Sequence, residues 1–258
     1  FFAELAAAVE EAVTSRGRLL VLGSANFDAG REATYLDAFA GLRVEGIVIV
    51  SSQDDPALRA AVRRIDVPVV FLNHRPSRIA GISSVTVDNV AGAERVTGHL
   101  VDLGHRDIAC FAGGTDVASI AQRVHGWERT MHAAGLRTTG AIVRSDFSRA
   151  AARDALLAHL RARPETTAVM ACTDEQGLGA LLAAAELGRR VPDDLAVSGF
   201  NGIAETAWSV PPLTTVQQPI ARMGAEAVAL LLDEPAGQHR VLPTELVVRR
   251  STTGDRAW

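Results

Sequence analysis

Short continuous runs of Val, Ile and Leu alternate with amphipathic stretches along most of this chain, and that rhythm limits its fold more than any other feature. "RLLVLGS" (18–24), "VEGIVIV" (44–50) and "VPVVFLN" (67–73) read as strands, separated by helical patterns over 4–13, 32–40 and 56–65. The first of these helices carries Leu5, Val9 and Val13 at spacings of four. The unit then recurs: "SSVTVDN", helix 90–103, strand 107–112, helix 118–135, strand 141–146, helix 149–162, strand 167–172, helix 174–188 and strand 194–200. A strand that is apolar on both sides must be covered on both faces. Strands of that kind alternating with helices build a parallel sheet with helices above and below. The expected class is therefore α/β, doubly wound.

These strands are too many for one small sheet, and 258 residues with 48% hydrophobic content suffice for two cores. Two lobes are expected, with "VTVDN" (85–89) as the crossover. After residue 208 the rhythm breaks. "SVPPLTTVQQP" is Pro-rich and extended, and a helix (220–232), the polar loop "DEPAGQHR" and a final strand "TELVVRRST" follow it. That interrupted return suits a chain that crosses between lobes more than once. The expected division is 1–87 with 219–238 for one lobe and 88–218 with 239–258 for the other. The first element is a helix with no strand before it and no initiating Met, so the chain reads as a fragment lacking a first strand. No apolar run approaches the ~20 residues that span a bilayer.

Several kinds of chemistry fail on motif. The net charge is −4, and all 26 basic residues are Arg. That balance argues against a general nucleic-acid grip within these residues. "FAGGTDVAS" has the adjacent pair Gly113 and Gly114 where a dinucleotide loop needs G-x-G-x-x-G, and without Lys no phosphate-binding P-loop can form. There is no G-x-S-x-G elbow, and Ser198 lies within a strand with no His beside it. His125 and His132 are seven residues apart on one helix, too far for a shared metal. Cys110 and Cys172 each sit in an apolar run and read as buried free thiols. No catalytic set, metal site or cofactor is expected.

Ligand capture without chemistry fits better. In open α/β sheets ligands lie beyond the carboxyl ends of the strands. Those positions hold Asn26, Ser51, Ser52 and Asn73 in the first lobe. In the second they hold Gly113, Gly114, Asp146, Phe147, Thr173, Asp174 and Asn201. Amides, hydroxyls and carboxylates with an aromatic ring suit a polyhydroxylated ligand such as a sugar. Against this, Asn and Asp at such places also cap the next helix, and Asp174 before "EQGLGALL" reads first as a cap or the neighbour of one. Asn73 leads into a polar loop with no helix, where a cap explains less. Arg123 borders the stripe Ile120, Val124, Trp127 and Met131 near the ligand end of the sheet. A guanidinium there can fork two ligand oxygens or bridge to a nearby carboxylate, and the residues alone do not choose.

Six segments in order resemble one family. They are "FFAELAAAVEEA", "VTVDNVAGAERVTGHLVDLGHRDIACFAGG", "RVHGWERTMHAAGL", "TAVMACTDEQGLGALLAAAELGRRVPDDLAVSGFNGI", "PPLTTVQQPIARMGAEAVALLL" and "LPTELVVRRST". Together they resemble the lactose-repressor/galactose-repressor (LacI/GalR) family of bacterial transcription regulators, across nearly the whole chain. The resemblance implies two Rossmann-like lobes joined by three crossovers, a type I periplasmic-binding-protein-like fold, with a small-molecule effector in the cleft. It also implies operator DNA read by an N-terminal helix-turn-helix outside these residues, a homodimer, a cytoplasmic protein and no membrane partner.

The resemblance places Phe1 and Phe2 at the cleft wall, Arg123 as the ligand-forking arginine, Phe147 as an aromatic on the effector ring and Ile220 at an apolar wall. Asn73 stands where Asp often bonds sugar hydroxyls. Thr173 stands where Asn is usual, before the common Asp174, and Asn201 stands where Asp is usual. These departures leave fewer acceptor groups than a typical sugar site, so the effector is expected to be less hydroxyl-rich or to carry an acidic group facing Arg123. The expected function is effector sensing for a DNA-binding repressor and not enzymatic turnover. The rival is a periplasmic sugar-binding protein of an uptake system, against which "LGHRDIA" and "PPLTTVQQP" weigh.

Overall fold

A computed structural model describes residues 1–26, 28–50, 56–76, 79–114 and 117–254. The chain forms two units, residues 1–87 with 219–242 and residues 88–218 with 243–258.

The first unit is built on helices α1 (Phe2–Thr14), α2 (Ala29–Gly41) and α3 (Pro56–Arg64) and strands β1 (Ile47–Ile49), β2 (Val69–Leu72) and β3 (Ser83–Val87). The returning chain adds α8 (Ile220–Leu232) and β9 (His239–Leu242). The sheet order is β1-β2-β3-β9, all parallel. α1 and α8 cover one face. Leu5, Val9 and Val13 of α1 meet Val70, Leu72, Val85, Met223 and Val228 there in one core. The other face is closed by α2 and α3 through Leu36, Leu58 and Val62.

Residues 239–242 were expected in the second lobe but belong here. β9 lies beside β3 with Ser84 opposite His239 and Val87 opposite Leu242, so the chain leaves this sheet only after Leu242. The expected strand 18–24 also departs from its forecast. The segment joins no ladder among the described residues, and Leu19 and Leu22 stay 93% and 71% exposed. An apolar cavity of about 850 Å³ separates it from β1. Val9, Val13, Leu20, Leu22, Ile47 and Val50 are among its lining residues. A strand is stabilised by its neighbour's N–H and C=O groups, and an apolar sequence does not replace them.

The second unit carries α4 (Asn89–Asp102), β4 (Ile108–Ala112), α5 (Ala118–Ala133), β5 (Ile142–Arg144), α6 (Arg149–Ala162), β6 (Ala168–Ala171), α7 (Asp174–Glu186) and β7 (Ala196–Asn201). A short turn of 3-10 helix (Ala204–Ala207), β8 (Thr214–Gln217), β10 (Glu245–Val247) and α9 (Arg250–Thr253) complete it. The order is β10-β8-β7-β6-β4-β5, parallel except for β10 against β8. The expected last strand "TELVVRRST" (244–252) ends at Val247, because Arg250 to Thr253 turn into α9 after the N-cap Arg249. Thr214 donates its N–H to Ser251 Oγ and its hydroxyl to the Arg249 carbonyl, which fixes that turn.

α4 starts at Asp88, whose carboxylate accepts the Ala91 N–H at 2.9 Å. It buries Ala93, Val96 and Leu100 against the stripe Ile120, Val124, Trp127 and Met131 of α5. The two helices pack closely because Gly126 faces the Val90 carbonyl, where a Cβ would lie 2.5 Å from the oxygen. Cys110 and Cys172 are buried free thiols.

Candidate functional site

Arg123 lies on α5 beside its core stripe, and the helix carries the guanidinium across the carboxyl ends of β6 and β7. Only 2% of the residue is exposed. Nε donates to Asn89 Oδ1 at 2.9 Å, and Nη1 donates to the Cys172 carbonyl at 2.5 Å and to Asn201 Oδ1 at 3.0 Å. Asn89 is itself held by Gln122, its amide donating to Oε1 at 2.9 Å. The Phe200 ring lies beneath the guanidinium, with the central carbon 3.7 Å from its centroid. Burial pulls the Arg123 pKa down to about 10, so it is cationic at neutral pH. Every oxygen it contacts is neutral. Nη2 makes no hydrogen bond among the described residues.

Asn201 ends β7 with φ +128°, in the region that side chains avoid, at a cost of about 1–3 kcal/mol. That backbone aims the amide at Arg123. The same Oδ1 accepts from Gln218 Nε2 at 2.8 Å, and the Gln218 N–H bonds the Asn201 carbonyl at 3.0 Å. Gln218 is 1% exposed, yet its Oε1 has no partner among the described residues. A buried acceptor left unpaired costs about 1–3 kcal/mol, so a donor arriving there is favoured. Gln218 and Asn89 were not singled out from the sequence. In "TTVQQP" the only signal for Gln218 is its place just past a strand's carboxyl end.

Thr173 is the N-cap of α7. Its Oγ1 accepts the Gln176 N–H at 3.2 Å and meets Gln176 Oε1 at 3.2 Å, so its hydroxyl serves the helix start. Asp174, read first as a cap or the neighbour of one, is the neighbour: it follows the N-cap Thr173 as the first residue of α7 and is completely buried. Its Oδ1 accepts from Thr215 Oγ1 at 2.5 Å, and its Oδ2 accepts the N–H groups of Gly202 at 2.6 Å and Ile203 at 2.8 Å. Burial raises its pKa to about 6, against the pull of those donors and of the Arg123 charge. Its oxygens fix the turn after Asn201. Phe147 is half-buried against the core of this unit, and its ring lies over Gly113, where any Cβ would collide with it. Gly113 also takes the Arg144 guanidinium on its carbonyl at 2.9 Å. Gly114 faces open space, and Asp146 is exposed.

The first unit's candidates lie apart from that network in the chain. Asn73 follows β2 with φ +65°. Its N–H bonds the Val85 carbonyl at 2.8 Å, and its buried Oδ1 has no partner. Phe1 and Ile220 pack on the core under α1 and α8. Phe2 is 48% exposed and meets Phe1 edge to face at 5.3 Å. Asn26 is exposed, and Ser51 and Ser52 lie outside the described residues. Among the described residues no group of His, Cys, Asp and Glu could hold a metal ion, and no helix is long and apolar enough to cross a membrane.

A family model described as a periplasmic binding protein-like domain matches residues 97–252. The chain is 30% identical over 258 residues to the HTH-type transcriptional repressor CytR of Escherichia coli K12, covering 98% of this chain and 75% of that protein. It is 33% identical over 261 residues to the HTH-type transcriptional regulator CelR of Thermobifida fusca, covering 97% and 76%. A solved complex of the transcriptional regulator CelR with cellobiose superposes with a TM-score of 0.88 at 31% identity, over 97% of this chain and 78% of that one. These relatives are regulators, and the fold, the order of motifs and the matches agree: the chain belongs to the LacI/GalR family of transcriptional regulators.

Proposed function

We propose that this chain is the effector-sensing part of a cytoplasmic transcriptional repressor, with a sugar or sugar derivative as effector. The observation that carries this reading is a buried cation at the strand ends of the second unit. Arg123 has an uncommitted Nη2 edge, and Gln218 beside it has an unpaired acceptor. Neither group contributes to stability as it stands, and both gain on meeting a polyhydroxylated ligand. In this reading Arg123, Asn201, Thr173 and Phe147 of the second unit contact the effector, and the first unit's candidates are Phe1, Phe2, Asn73 and Ile220. Asp174 positions the loop that bears Asn201. No step of bond making is involved.

Effector binding stabilises one of two arrangements of the protein by the difference in its affinity for them, and operator affinity follows through a helix-turn-helix segment of the same protein. The repressor acts as a homodimer. Trp208 and Val210, 84% and 92% exposed, supply apolar surface for that contact. A thermal-shift screen with sugars, sugar acids, sugar phosphates and nucleosides tests the reading. At least one class is expected to raise the melting temperature of the parent and not of Arg123→Ala. A ligand shift of equal size in the variant would remove Arg123 from the site.

A further inference from the structure

The charge balance around Arg123 narrows the effector class. Its direct acceptors are the amide oxygens of Asn89 and Asn201 and the carbonyl of Cys172, all neutral. Among the described residues the carboxylate whose charge acts on Arg123 is Asp174, and it spends both oxygens on Thr215, Gly202 and Ile203. The charge of Asp174 also acts on Arg249, which donates to Thr206 Oγ1 at 2.9 Å and the Leu213 carbonyl at 2.7 Å. Among the described residues no carboxylate bonds Arg123 directly, so a buried positive charge is held by neutral oxygens, a place where an incoming anion gains most.

The unpaired Gln218 Oε1, held next to Arg123 through Asn201, asks for the opposite partner, an O–H or N–H donor. A neutral sugar satisfies Gln218 and leaves the charge uncompensated. A simple anion does the reverse.

Resting on the effector-site reading above, we infer that the effector is an oxyanion with a hydroxyl beside it, such as a sugar acid or sugar phosphate. The anionic oxygen takes the Nη2 edge of Arg123 and the hydroxyl donates to Gln218. Asn201 is the residue that sets this selectivity. An Asp there would place a carboxylate on Arg123 Nη1, neutralise the guanidinium and repel the ligand's anion.

Isothermal titration of the parent, Asn201→Asp and Gln218→Leu tests this. The probes are D-glucose, D-gluconate and D-glucose 6-phosphate, with D-galactose against D-galacturonate and D-ribose against D-ribose 5-phosphate. At least one acid or phosphate should bind the parent tenfold or more tightly than its neutral counterpart, and which of the two does so identifies the oxyanion. Asn201→Asp should lose tenfold or more for that ligand, change less than threefold for the neutral sugar, and melt at or above the parent temperature without ligand. Gln218→Leu should weaken the same ligand severalfold, its melting temperature confirming the fold. Neutral sugars binding the parent as tightly as their acids and phosphates, with Arg123→Ala abolishing both, would overturn this inference and leave the effector site standing. Absence of binding by every probe would overturn the inference and the site together.

Discussion

Asp174 shows how far a residue's role departs from its type. As a carboxylate before a helix it reads as a cap or a cap's neighbour; Thr173 does the capping, and Asp174 beside it gathers three donors from β8 and from the turn after β7. Its folded pKa of about 6 lies above the unfolded value of 3.8. The folded state therefore holds the proton more tightly, and Asp174's contribution to stability falls as pH rises from 4 to 6 and is level above that. The cost of Asp174→Asn should be largest near pH 4 and shrink by about 3 kcal/mol by pH 7, read from urea melts. A cost that grows with pH would contradict this. Arg123 and its partner Asn201 were singled out in the sequence. Asn89 and the Cys172 carbonyl, which Arg123 also bonds, and Gln218, which bonds Asn201, were not singled out as partners: they come from distant parts of the chain and meet only through sheet order.

At the scale of elements, most strands of the second unit were legible because each is apolar on both faces, as burial between two helical layers demands. The failures share a cause. Segment 18–24 has a strand's composition without a paired neighbour, and β9 has a loop's composition, "HRVL", with a long-range partner in β3. Pairing is not local, so composition misjudged both. Helix packing was more legible, since the 4-3-4 stripe of α5 is the face that α4 covers. Trp127 is completely buried in that contact, so Trp127→Ala should cost about 3–5 kcal/mol in urea unfolding. A loss below 1 kcal/mol would mean that the helix pair is not part of the cooperative core.

For the whole molecule, the two-unit division was legible from strand count and the crossover at 85–89, and the final return was placed too early. Assembly rests on surface chemistry. If Trp208 and Val210 lie in a homodimer contact, Val210→Asp should convert dimer to monomer in sedimentation at micromolar concentration, while a parent that sediments only as monomer would refute that contact. The account turns on Arg123 as the anchor of a small-molecule effector. The most direct measurement is isothermal titration of the ligand giving the largest thermal shift against the parent and Arg123→Ala. The account predicts one site per chain in the parent and affinity at least a hundredfold weaker in the variant; equal affinity in both proteins would contradict it.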